Sequence, residues 1–272
     1  MIKNLKLMAV SSTLLTAAVQ GQAQTAIANW SFDQLAVGIN ANPAPSSGTG
    51  TALALGMSNS YNNTTAVSNP DVLVDAGSST GGANAWRIRG TTPGNGWSSQ
   101  APIGTQGAEF DVSTVGFSNI QLTFDAHTTT QSEANLAVLY TTDGSSWKTA
   151  TLNFSGATAN VLNNSTSANT VTGSYIHFAT SASPWYNGIT ADFTTDTAAN
   201  NNANFAVRLV NASTGADNVN QSGTAYNNTS GNWRFDNVAI ISTPAPEPSA
   251  WAVFGLGFGA LVWHLRQRRL NS

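Results

Sequence analysis

The 272-residue chain predicts an all-β fold, an antiparallel β-sandwich or jelly roll, preceded by a signal peptide and followed by one transmembrane helix. Three observations carry this expectation. Apolar and polar residues alternate at period two in many short runs, the pattern of strands with one buried face. Only 8% of the residues are charged, 24 are glycine and none is cysteine, and tracts of Asn, Ser and Thr separate the runs, which is a composition of strands and turns. Two apolar segments of helical character, 7–19 and 249–265, lie at opposite ends of the chain.

The first 23 residues, MIKNLKLMAVSSTLLTAAVQGQA, place Lys3 and Lys6 before the apolar stretch Leu7–Val19 and end in the small residues Gly21 and Ala23. That order is the order of a secretory signal peptide, cut after Ala23. A buried N-terminal helix is the other reading, and it accounts less well for the positive start and the small-residue exit. With no cysteine, an exported domain must be held by packing or by a bound ion instead of by disulfides.

Residues 24–243 form the body. Ile120, Leu122 and Phe124 alternate with Gln121, Thr123 and Asp125, and Phe205, Val207 and Leu209 alternate with Ala206 and Arg208. Further strands are expected at Ile27–Phe32, Thr51–Met57, Val72–Asp75, Ala85–Arg89, Ala108–Val112, Leu136–Thr141, Trp147–Leu152, Tyr175–Phe178, Ile189–Phe193 and Trp233–Ile241. A dozen short strands without a helical period point to a sandwich, and a body of this length is compatible with one such domain. In YTTDGSSW, residues 140–147, Asp143-Gly144 between two strand-like runs marks a hairpin turn. Stretches such as NPAPSSGTG and TDTAANNNAN read as loops, because Asn and Ser side chains compete with regular backbone pairing.

Charge and chemistry narrow the function. The body carries five bases against twelve acids, a balance of −7, which argues against nucleic acid as a partner because phosphate binding needs clustered Lys and Arg. It contains two histidines, His127 and His177, and no cysteine, so a Cys-His nucleophile is excluded. There is no Gly-x-Ser-x-Gly elbow, and His127, directly after a strand, suits a polar strand-end role. Some pair of the twelve acids must fall close together, but most sit in turn contexts that explain them without catalysis. No catalytic residue is assigned, and the body is read as non-enzymatic.

Two features stand out in the body. In WRFDNVAII, Trp233 and Phe235 set one alternation phase and Val238 and Ile240 the opposite one, so the strand slips by one residue at Asp236-Asn237. A slip of that kind is a β-bulge, which re-aims a side chain. Trp86, Trp97, Trp147 and the pair Trp185-Tyr186 are candidates for a sugar-stacking platform, since an aromatic face packs well against the C–H face of a pyranose. The alternative is that these rings fill the core.

The last segment, 244–272, begins PAPEPSAW. Pro244, Pro246 and Pro248 keep this strip extended and out of any following helix. The apolar run 249–265 would span about 25 Å as a helix at about 1.5 Å per residue, just enough to cross a hydrocarbon core. Trp251 and Trp263 suit the two interfaces, and Arg266, Arg268 and Arg269 favour the cytoplasmic side, which puts the body outside. From these residues alone, a permanent anchor with a short linker and a processed tail are equally good readings. Pro246-Glu247-Pro248-Ser249, the glycine-containing apolar helix and the arginine cluster together resemble the PEP-CTERM sorting signal of bacterial exported proteins. The resemblance covers the last 27 residues or so. It implies recognition by an exosortase-type membrane enzyme, removal of the tail, and delivery of the body to the cell surface or an extracellular polysaccharide matrix.

A second, looser resemblance runs from Ala108 to Leu152 and resumes at NWRFDNVAII, residues 232–241. These stretches are similar to extracellular jelly-roll modules shared by adhesion domains and carbohydrate-binding modules. That likeness implies a structural calcium held by Asp33 and Asp236, with a further oxygen from Asn237; a turn-capping Asp33 and a surface Asp236 are the alternative.

Overall fold

The structure, a computed structural model, describes residues 24–33, 42–57, 74–78, 84–89, 97–153, 170–172, 175–178, 185–212, 218–220, 222–225, 227–228, 231–244 and 266. The signal peptide, Pro246-Glu247-Pro248, the apolar run 249–265 and Arg268 and Arg269 lie outside the described residues, and Arg266 is exposed. Among the described residues no helix is long and apolar enough to cross a membrane.

The strands, in chain order, are β1 (Thr25–Trp30), β2 (Ser47–Gly48), β3 (Thr51–Leu55), β4 (Val74–Ala76), β5 (Asn84–Arg89), β6 (Trp97–Ser98), β7 (Gly107–Asp111), β8 (Phe117–Thr128) and β9 (Asn135–Thr141). They continue with β10 (Lys148–Thr149), β11 (Thr151–Asn153), β12 (Thr170–Thr172), β13 (Tyr175–His177), β14 (Trp185–Asp192), β15 (Ala206–Asn211), β16 (Asn227–Asn228) and β17 (Asn232–Pro244). One antiparallel sheet runs β11-β14-β8-β17-β1-β2, with β5 also on β17 and β4 on β5. The other runs β12-β13-β9-β15-β7-β3, with β10 also on β9. The short pair β6-β16 stands apart.

The two large sheets share one core. Ile120, Leu122, Phe124 and Ala126 of β8 point into the same buried cluster as Val138 of β9 and Val207 and Leu209 of β15. Aromatic rings bridge the layers: Trp30 and Trp86 of one sheet meet Phe110 of the other, with ring centroids 5.0 and 6.0 Å apart. Two indole N–H groups in this core find carbonyls, Trp30 Nε1 donating to Pro43 O at 3.1 Å and Trp233 Nε1 to Glu133 O at 3.0 Å, whereas the buried Trp86 Nε1 has no such partner among the described residues. At Trp30 and Trp233 a large apolar ring is thereby buried without stranding its polar atom. The arrangement is a β-sandwich of two antiparallel sheets.

One expected strand divides. Over Trp147–Leu152, Lys148 and Thr149 pair with β9, whereas Thr151, Leu152 and Asn153 pair with β14 in the opposite sheet. The switch falls at Ala150, which is buried and donates its N–H to Val138 O at 2.9 Å. A small side chain lets the backbone cross the edge of the sandwich without opening the core.

Candidate functional site

The most concentrated polar chemistry lies where β17 changes partner. Asn232–Phe235 of β17 pair with β5, and Val238–Ser242 pair with β1, so that β1 and β5 lie end to end along one side of β17. The register against β8 slips between Asp236 and Ala239, and Asn237 takes φ 49°, a left-handed conformation that Asn tolerates better than most residues. The bulge expected at Asp236-Asn237 is present. A second bulge faces it across β8: β14 slips between Tyr186 and Ile189, with Gly188 at φ 70°.

Between the two bulges stands Asp125 of β8, in register with Asp236. Both are buried, Asp236 at 0% and Asp125 at 4% exposure. Asp125 Oδ1 accepts from Gly188 N at 2.7 Å, and its Oδ2 accepts from Ser78 Oγ at 2.6 Å and Asn237 Nδ2 at 2.9 Å. Asp236 accepts from Ser78 N at 2.7 Å and from Asn237 N at 2.8 Å. Ser78, just beyond β4, is thus clamped between the two carboxylates. Burial lifts the Asp236 carboxyl to about 6; the donors Ser78 and Asn237 oppose that rise and the charge of Asp125 adds to it.

Asp33 lies at the same junction and serves a different partner. Its Oδ1 accepts from Asn84 N at 3.2 Å and its carbonyl from Asn84 Nδ2 at 3.3 Å, joining the end of β1 to the start of β5. Asp236 is therefore no surface residue, and the described contacts of Asp33 tie two strands. Calcium requires 6 to 8 oxygens, and the two carboxylates that the resemblance implies have different described partners, Asn84 for Asp33 and Ser78 with Asn237 for Asp236. Among the described residues no three His, Asp or Glu side chains are placed to hold a metal ion.

No protein family, no curated protein and no solved structure matches this chain. The chemistry of the site rests on its geometry. Of the aromatics named for stacking, Trp86, Trp97 and Tyr186 are in the core. Trp86 stacks on Phe32 with centroids 5.6 Å apart, Trp97 packs on Trp233 at 4.6 Å and donates to Gly231 O, and Tyr186 lies 4.7 Å from Phe178. None of the three offers a face to a sugar, because strand alternation turns each inward. Trp185 points the other way and is partly exposed, its ring 5.4 Å from that of His127 directly across the ladder.

Sequence reasoning missed Asp125, Ser78 and Gly188. Asp125 continues the polar phase of Gln121 and Thr123 and so reads as solvent-facing, and Ser78 sits in a low-complexity tract. The signal that was available is Asn187-Gly188 inside a strand pattern, which marks a bulge. On the next rung of the same outer face, Arg87, Arg234, His127 and Trp185 occupy facing positions on four adjacent strands. Arg87 and His127 are buried there, at 8% and 6% exposure, while Arg234 and Trp185 are partly exposed.

Proposed function

We propose that the chain is an exported bacterial surface or extracellular-matrix protein whose jelly-roll sandwich serves adhesion or structure without catalysis, and whose tail is a sorting signal processed by an exosortase-type enzyme. The observation that carries this reading is the placement of β17, the strand that leads into the tail. It is bonded along one side to β8 and along the other to β5 and then β1. A pull on the tail would load β17 along its axis, so that many ladder bonds resist together, which suits a body held at a surface by its C-terminus. Thr25 is the register partner of Ser242, so both ends of the body leave the sandwich on the same side.

A glycoside hydrolase is less well supported. Its two carboxyl groups must flank a sugar across about 5 to 9 Å. Asp125 and Asp236 instead face each other on adjacent strands, bridged by Ser78 and closed to solvent. Fractionation of the producing cells tests the proposal: the protein is expected outside the cytoplasm, shortened at both ends. Full-length protein in the cytoplasmic fraction would refute it.

A further inference from the structure

We propose that the outer face of the seven-stranded sheet carries a binding site for one residue of a neutral saccharide, walled by Trp147 and floored by Glu109 and Asp111. The inference deepens the adhesive reading above, and rests on it only for where the sugar is met.

The site is an open groove of about 260 Å³ at the end of the face, between the turn after β9 and the loop before β15. Its lining includes Glu109, Asp111, Thr141, Trp147 and Asn204. Glu109 and Asp111 are two apart on β7 and so share a face. Arg208 is the register partner of Glu109 and donates from Nε to Glu109 Oε2 at 2.5 Å. Its guanidinium carbon lies 3.7 Å from the centre of the Trp147 ring. One carboxylate therefore fixes the arginine, and the arginine fixes the plane of a partly exposed indole. Asp111 is held in turn by Thr51 Oγ1 at 3.0 Å.

The turn that carries Trp147 is also pre-set. Asp143 Oδ1 accepts from Ser145 N at 2.8 Å, Ser146 N at 2.6 Å and Thr141 Oγ1 at 3.0 Å, and Gly144 takes φ 78°. A wall ordered before binding loses little entropy on binding.

Three properties select the ligand. An indole wall suits the apolar C–H face of a sugar ring. The carboxylates of the floor and the Asn204 amide accept from and donate to adjacent ring hydroxyls, and carboxylates are the stronger acceptors. Two carboxylates against one guanidinium leave the groove net negative, which disfavours uronic acids and sulfated sugars. Its volume falls below the 300–1,000 Å³ typical of pockets for drug-sized ligands, and an open end lets a polymer continue beyond the bound residue. Burial raises the Glu109 carboxyl above the usual carboxylate range, with Arg208 opposing and Asp111 reinforcing the rise.

Affinity electrophoresis of the full 272-residue chain in detergent tests the site. The gels contain a neutral glucan, mannan or galactan, or polygalacturonate as the charged counterpart. At least one neutral polymer is expected to retard the protein and polygalacturonate is not. Trp147→Ala should weaken retardation about tenfold or more, the loss of about 1.4 kcal/mol, while Trp147→Phe keeps part of it and Trp185→Ala keeps all of it. Thermal melts establish that each variant is folded. Retardation unchanged in Trp147→Ala would overturn the site and leave the adhesive reading standing. Retardation by none of the neutral polymers, or a preference for polygalacturonate, would overturn the site and its ligand class, while surface location is decided separately by fractionation.

Discussion

Asp236 has no exposed surface and sits between two N–H donors, and burial lifts its carboxyl from 3.8 to about 6. Because the folded value lies above the unfolded one, its favourable contribution is complete below about pH 4 and is lost as pH rises through 6. The full span corresponds to about 3 kcal/mol. Asp125 faces it from β8, and Arg87, Arg234 and His127 occupy the next rung of the same face. His177, lowered by burial from 6.5, acts in the opposite sense, favouring the folded state as pH rises through that window. The difference between wild type and Asp236→Asn isolates the carboxylate. Urea unfolding between pH 4.5 and 7.5 should show the wild type losing stability relative to the variant as pH rises; parallel profiles would show that Asp236 does not titrate in this range.

The bulge at Asn237 links one residue to the element that contains it. In that residue's place, glycine keeps the left-handed backbone and loses the side-chain bonds to Ser78 and Asp125, whereas alanine loses the bonds and adds strain. Asn237→Ala should therefore be less stable than Asn237→Gly by about 1 kcal/mol, measured by chemical denaturation, although glycine is the poorer strand residue elsewhere. This bulge was legible because the hydrophobic phase flips across Asp236-Asn237. Strand positions were legible for the same reason, since a half-buried strand writes its burial at period two. What alternation cannot report is a strand's partner: the run Trp147–Leu152 divides between two sheets at Ala150, and no residue in it names either partner. Nor can it separate a solvent face from a covered one, which is why Asp125 read as exposed and why the core roles of Trp86 and Trp97 stayed open. The groove at Trp147 depends on Glu109 and Arg208 meeting across 99 positions of sequence, a pairing that only the sheet register supplies.

At the scale of the whole molecule, the described residues share one aromatic-rich core between both sheets, and the chain has no cysteine to form a disulfide. Chelation of divalent cations tests the Asp33 and Asp236 pair directly: a marked fall in the thermal midpoint would show a stabilising ion, and an unchanged midpoint would count against one. The same core ends in β17, and the central claim is that the chain beyond this strand is an address that is read and removed. Intact-mass measurement tests it on protein from the producing bacterium, comparing wild type with a variant in which Pro246, Glu247 and Pro248 are all alanine. The account predicts a surface or secreted wild-type form lacking the apolar tail, and a membrane-bound variant that retains it. Identical processed masses in the two would contradict it.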